Sequence, residues 1–105
     1  YIFLAGWMPI VGFTLLNKYP NKIINIHPSL LPSFKGLNAI DQALKYGVKI
    51  TGLTTHFIDI NVDEGKIIDQ VPIIISDSDD FKSIDKKIFK EGVILTIKTI
   101  NKIFI

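Results

Sequence analysis

Short apolar runs alternate along this chain with stretches whose apolar residues recur at helical spacing. Residues 1–7, Tyr1-Ile2-Phe3-Leu4-Ala5-Gly6-Trp7, read as a buried strand, because an unbroken apolar run of this length fits a strand covered on both faces. A short helix is expected from Val11 to Tyr19, ending at Pro20, since the residue before a proline is pushed out of the helical region. Lys22 to Ile26 form a second strand. Gly36 to Tyr46 place Leu37, Ile40, Ala43 and Leu44 at helical spacing, and Gly47 supplies the C-cap. Thr51 to Ile58, rich in β-branched residues, form a third strand and Lys66 to Ile75 a fourth, with Asp59 to Gly65 as the loop between them. Pro72 has no N–H for a ladder, so the fourth strand is expected at an edge or bent there. Asp77, Asp79 and Asp80 then open a long last helix, where carboxylates favour the positive end of the dipole.

This order predicts an α/β fold: a three-layer αβα arrangement on a mostly parallel sheet, the late strand pair free to run antiparallel across its short loop. The chain starts abruptly inside an apolar run. Residues 1–105 are therefore expected to be the C-terminal part of a larger domain, incomplete at its N-terminus.

Composition narrows the class. With 105 residues there is room for one small domain. Its 48% hydrophobic content is high, yet no run reaches the length of a membrane span. The net charge of +2 rests on scattered lysines with no arginine, a poor footprint for nucleic acid and without the bidentate phosphate clamp. Cysteine is absent, which removes disulfides and thiol chemistry and suits a cytoplasmic enzyme.

Chemistry concentrates at the end of the second strand. Asn25 and His27 stand two residues apart, so both leave the strand on one face, an amide donor beside a proton carrier. The following Pro28-Ser29-Leu30-Leu31-Pro32 cannot continue a ladder, and a break at the carboxyl end of a buried strand is where open α/β sheets place ligands. Spacing alone leaves a second reading open, a strand-end Asn and His that satisfy nearby backbone groups.

The Asp59 to Gly65 loop mimics a calcium loop. Glu64 stands where glycine is needed and Gln70 where a bidentate glutamate is needed, so calcium is rejected. The loop either simply connects two strands or aims a carboxylate at His27, which favours the imidazolium. His56 reads as a hydrogen-bonded core histidine rather than a metal ligand. On the last helix Glu91 shares the stripe of Ile84, Ile88 and Leu95, and an inward carboxylate must find a partner or a cavity.

The string from Asn25 to Pro32, followed by Gly36, Gln42-Ala43-Leu44, Gly52, His56-Phe57 and Asp63-x-Gly65, resembles the folate-dependent formyltransferases, in particular the branch serving purine biosynthesis. The likeness runs from Leu4-Ala5-Gly6-Trp7-Met8 to the last helix. It implies transfer of the formyl group of 10-formyltetrahydrofolate to the amine of glycinamide ribonucleotide, without a metal. Asn25, His27 and Asp63 match the family's catalytic trio. By the same resemblance, Met8, Pro9, Ile10, Val11 and the loop residues Asp59, Ile60, Asn61, Val62 and Asp63 line the folate pocket together with Asn25. Pro28 and Glu91 fall to the ribonucleotide, and the Leu31–Pro32 bond is implied to be cis.

Three departures stand out. Pro9 occupies a position often held by arginine, and the residues just before Glu91 match poorly. The family's phosphate-binding glycine loop belongs to the first half of the domain, which implies completion by an N-terminal half or a homo-oligomer. Two relatives stay open: formyltetrahydrofolate deformylase, which shares phrases such as Phe34-Lys35-Gly36 and Asp63-Glu64-Gly65, and methionyl-tRNA formyltransferase. Pro28 favours the purine branch. A different class, an inactive fragment or interaction module, is the remaining alternative.

Overall fold

The computed structural model describes residues 1–5, 18–19, 21–59 and 65–104. In chain order they form β1 (Ile2–Ala5), β2 (Ile23–His27), α1 (Ala39–Tyr46), β3 (Ile50–Phe57), β4 (Ile67–Ile74) and α2 (Phe81–Phe104). The four strands make one sheet in the order β1-β2-β3-β4. Of the helix expected over Val11 to Tyr19, all but the last two residues lie outside the described residues.

The α/β class agrees with the sequence reading, but the mostly parallel sheet expected there is corrected: the described sheet is mixed, and already its second pair, β2–β3, is antiparallel. Among the described strands only β1 and β2 run parallel, with Ile2 opposite Ile23; β2–β3 and β3–β4 are antiparallel. Parallel neighbours need a connection that returns to the starting end of the first strand. Here residues 28–49 spend their length on a turn and an eight-residue helix, and β3 begins beyond the carboxyl end of β2. β4 closes the described sheet, so Pro72 sits on an edge strand as expected, opposite Gly52.

Alternation along the strands separates two faces. One carries Leu53, Val71 and Ile73, which join Ile40, Ile84, Ile88 and Leu95 in the core, with Ile26, Leu44 and Ile75 packed against it. Both helices therefore lie on this face. A buried hydroxyl pair, Thr55 Oγ1 and Thr99 Oγ1 at 2.8 Å, ties β3 to α2 inside that layer. The stripe predicted from Ile84, Ile88 and Leu95 is the one that faces the sheet. A second apolar stripe of α2 (Phe89, Val93, Ile97, Phe104) is exposed.

One boundary differs. α1 begins at Ala39 rather than Gly36, and Leu37 is exposed instead of packed. Phe34, Gly36 and Asn38 all have positive φ, which no helix tolerates, and the Gln42 amide staples the resulting loop by donating to the carbonyls of Lys35 and Leu37.

Of the three aspartates expected to open α2, Asp79 and Asp80 act at its first turn, whereas Asp77 is exposed and faces Lys49 Nζ at 3.6 Å. Asp80 Oδ1 accepts the Ser83 N–H at 2.9 Å while Ser83 Oγ accepts the Asp80 N–H, a reciprocal cap on the first turn. Asp79 accepts from Lys87 Nζ at 2.7 Å, from the Ser76 N–H and hydroxyl, and from Ser83 Oγ. The Lys87 ammonium above all, then these donors, hold the Asp79 carboxyl well below the usual carboxylate range.

Two outcomes follow from this packing. Ile84→Ala, at a fully buried position, lowers unfolding free energy by about 2–5 kcal/mol in urea titrations, whereas Ile97→Ala on the exposed stripe stays within about 0.5 kcal/mol. A depressed carboxylate stabilises the fold above the ordinary range and stops doing so as pH falls through its folded value. The drop in urea midpoint between about pH 6 and about pH 2.5 should therefore be smaller for Asp79→Asn than for the parent protein.

Candidate active site

Asn25 and His27 occupy the carboxyl half of β2 and project from the face opposite the helices. Antiparallel pairing sets Asn25 opposite His56 and His27 opposite Thr54, so the four side chains share this face. The sequence supplied the first pair; register supplies the second.

His27 is 2% exposed. Its Nε2 lies 2.9 Å from the Phe34 carbonyl, and because a carbonyl only accepts, Nε2 must carry the hydrogen. The neutral ring is thereby held as the Nε2–H tautomer, and Nδ1 is the nitrogen whose protonation separates neutral from charged imidazole. His56, equally buried, shows the opposite choice: its Nδ1 donates to the Phe57 carbonyl at 3.0 Å. It is a hydrogen-bonded core histidine, as the sequence reading favoured. Asn25 is half-buried, and its Oδ1 is buried with no hydrogen-bond partner among the described residues. An unmatched buried amide oxygen typically costs about 1–3 kcal/mol, a cost that native folds mostly avoid outside working sites.

After His27 the chain turns over the same face. Thr54, fully buried, donates its hydroxyl to the Ser29 carbonyl at 2.8 Å and accepts from the Leu31 N–H at 3.0 Å. Gln70, opposite Thr54 on β4, donates its amide to both Thr54 Oγ1 and the Leu31 carbonyl. Ser29 adds a bond from its hydroxyl to the Ser33 carbonyl at 2.5 Å, and the Leu31–Pro32 bond is cis, as the resemblance implied. Gly52 makes room for this turn, since a Cβ there would stand 2.6 Å from Leu30 Cδ2 and 2.1 Å from the Val71 carbonyl oxygen. Gly65 is equally constrained, because its Cβ would meet the Phe57 carbonyl at 1.6 Å, which accounts for glycine where the acidic loop returns to the sheet.

Pro28, half-buried, follows His27 directly, and Asp59 is exposed just past β3. Asp63, with Ile60, Asn61 and Val62, lies outside the described residues, as do Met8, Pro9, Ile10 and Val11. Glu91 is half-buried on α2, beside Gly92, whose position lies 3.7 Å (measured from an added Cβ) from Ile26 Cδ1. Its helix therefore lies on the face of the sheet opposite the one that carries Asn25 and His27. Among the described residues no group of three or more His, Cys, Asp or Glu is placed to hold a metal, and no helix is long and apolar enough to cross a membrane.

Sequence reasoning missed Thr54, Gln70 and the Phe34 carbonyl. The signal for Thr54 was its position two residues before His56, on the same strand face. Nothing in the sequence distinguishes a backbone carbonyl as an imidazole acceptor.

Residues 1–100 match the family described as Formyl transferase. Phosphoribosylglycinamide formyltransferase of Bacillus subtilis is 49% identical over 89 residues, covering 85% of this chain and 46% of the relative. The human trifunctional purine biosynthetic protein adenosine-3 is 45% identical over 85 residues, 81% of this chain and 8% of the relative. The crystal structure of phosphoribosylglycinamide formyltransferase from Streptococcus pneumoniae superposes with a TM-score of 0.93 at 37% identity, over 98% of this chain and 57% of that one. The corresponding enzyme from Bacillus halodurans gives a TM-score of 0.83 at 47% identity, over 86% of this chain and 46% of that one. The chain thus spans about half the length of its bacterial relatives or less. With the Asn-x-His strand end, the pegged turn and the matching sheet in place, the chain belongs to the formyl transferase family.

Proposed function

We propose that this chain supplies the catalytic half of a phosphoribosylglycinamide formyltransferase, moving a formyl group from 10-formyltetrahydrofolate to the amine of glycinamide ribonucleotide in the cytoplasm. The observation that carries this reading is the shared strand end of Asn25 and His27, with the imidazole oriented by the Phe34 carbonyl. Attack of the amine nitrogen on the formyl carbon forms a C–N bond and a tetrahedral oxyanion. The Asn25 amide and a protonated His27 are suitable donors to that oxygen, and a donor of this kind is typically worth about 100- to 1000-fold in rate. When the bond to the folate nitrogen breaks, the amine loses one proton and the departing nitrogen gains one. With Nε2 committed to Phe34, Nδ1 is the atom of His27 suited to carry it. Asp63, on the loop leaving β3, is assigned the negative charge that favours the imidazolium.

Pro28 and Glu91 are assigned to the ribonucleotide, and Met8 to Val11 with Asp59 to Asp63 to the folate. These assignments require a ligand lying across the carboxyl end of β2, where open α/β sheets place their ligands. Phosphate contacts come from an N-terminal half, in the same or another polypeptide, or from a second copy.

The test measures formyl transfer by this chain together with the N-terminal half of the Bacillus subtilis relative. The assembly turns over both substrates, and His27→Ala or Asn25→Ala lowers kcat by about 100- to 1000-fold. Loss of formyl from the folate at an equal rate without the ribonucleotide marks a hydrolase instead. Absence of any folate-dependent turnover in the assembly sinks the reading.

A further inference from the structure

We propose that Thr54 is a positioning residue: through the turn it pegs, its hydroxyl sets the orientation and tautomer of His27. Importance for catalysis rests on the function proposed above; the effect on the ring does not. A hydroxyl offers one donor and two acceptor sites, and Thr54 uses all three, on the Ser29 carbonyl, the Leu31 N–H and the Gln70 amide. It is fully buried, so water replaces none of these bonds if the hydroxyl is lost.

The segment it holds is short and connected at every step. The Ser29 N–H donates to the His27 carbonyl at 2.9 Å, the Ser33 N–H donates to the Leu30 carbonyl at 3.0 Å, and Ser29 Oγ donates to the Ser33 carbonyl. The next residue is Phe34, whose carbonyl accepts from His27 Nε2. Phe34 has φ 53°, and its ring meets Tyr46 of α1 edge-on at 6.0 Å. One end of the loop is thus anchored to the sheet by Thr54 and the other to α1 by an aromatic contact. The imidazole is bonded to the carbonyl between these anchors. Displacing the turn moves that carbonyl, and the ring then loses the acceptor that keeps its hydrogen on Nε2.

The two histidines give an internal control, because they are held in opposite tautomers. In a neutral imidazole the protonated and bare nitrogens have widely separated 15N shifts, so long-range 1H–15N correlation spectra report the tautomer of each ring. Spectra are recorded on the intact chain at a pH where both rings are neutral. The parent protein and Thr54→Ser show His27 as Nε2–H and His56 as Nδ1–H. In Thr54→Val, which keeps the volume but not the hydroxyl, the two His27 15N shifts move toward each other while those of His56 stay in place. Should Thr54→Val not fold, Gln70→Met decides, since it removes only the donor shared by Thr54 and Leu31; a smaller movement in the same direction is expected.

The proposal is overturned if His27 keeps pure Nε2–H character in the variants, if the parent lacks it, or if Thr54→Ser behaves like Thr54→Val. It is also overturned if both rings change together, since that reports a distorted β3 rather than a displaced turn. No turnover is needed for this readout, so its failure is distinguishable from failure of the transferase assignment.

Discussion

The register between β2 and β3 is the constraint on which the remainder depends. With Asn25 opposite His56 and His27 opposite Thr54, one strand supplies the reactive pair and its neighbour supplies the peg for the turn that follows. A slip of one residue would send every one of these side chains to the helix face. Contacts on both faces oppose that slip. On the helix side Thr55 meets Thr99 and Leu53 enters the core. On the other side Thr54 holds the turn, and the missing side chain of Gly52 lets Leu30 and β4 approach.

The two faces solve different problems. The helix face is held by aliphatic packing, which stabilises without dictating the direction of any one group. The site face buries polar side chains, where each donor and acceptor must be matched. Thr54 and Ser29, both fully buried, meet that demand through backbone partners in the turn, and Gln70 adds a donor from the exposed edge strand. The outcome is a loop with no regular structure that is nonetheless held in place, and it places a carbonyl where His27 needs one.

The stabilising groups at the start of α2 lie far along the chain from this site and act on a different quantity. Asp79 and Asp80 bring backbone donors, serine hydroxyls and Lys87 together at the end of a long helix. Since α2 packs over β3 through Ile84, Leu95 and Thr99, securing its first turn supports the layer against which the site strand rests.

Period and punctuation in the sequence were enough to locate the described strands and the last helix, because alternation, β-branched residues, prolines and acidic caps act over a few residues. The same local logic placed Asn25 and His27 on one face and found the family motif. It failed at Gly36 to Asn38, where left-handed residues break an apolar spacing that otherwise reads as helix, and it assigned no task to Thr54 or Gln70. Their backbone partners lie 23 to 39 residues away and they bond each other across 16, and no local pattern encodes such distances. Only the folded sheet decides which nitrogen of His27 carries its hydrogen, because the acceptor is a carbonyl, a group every residue has and the sequence cannot single out.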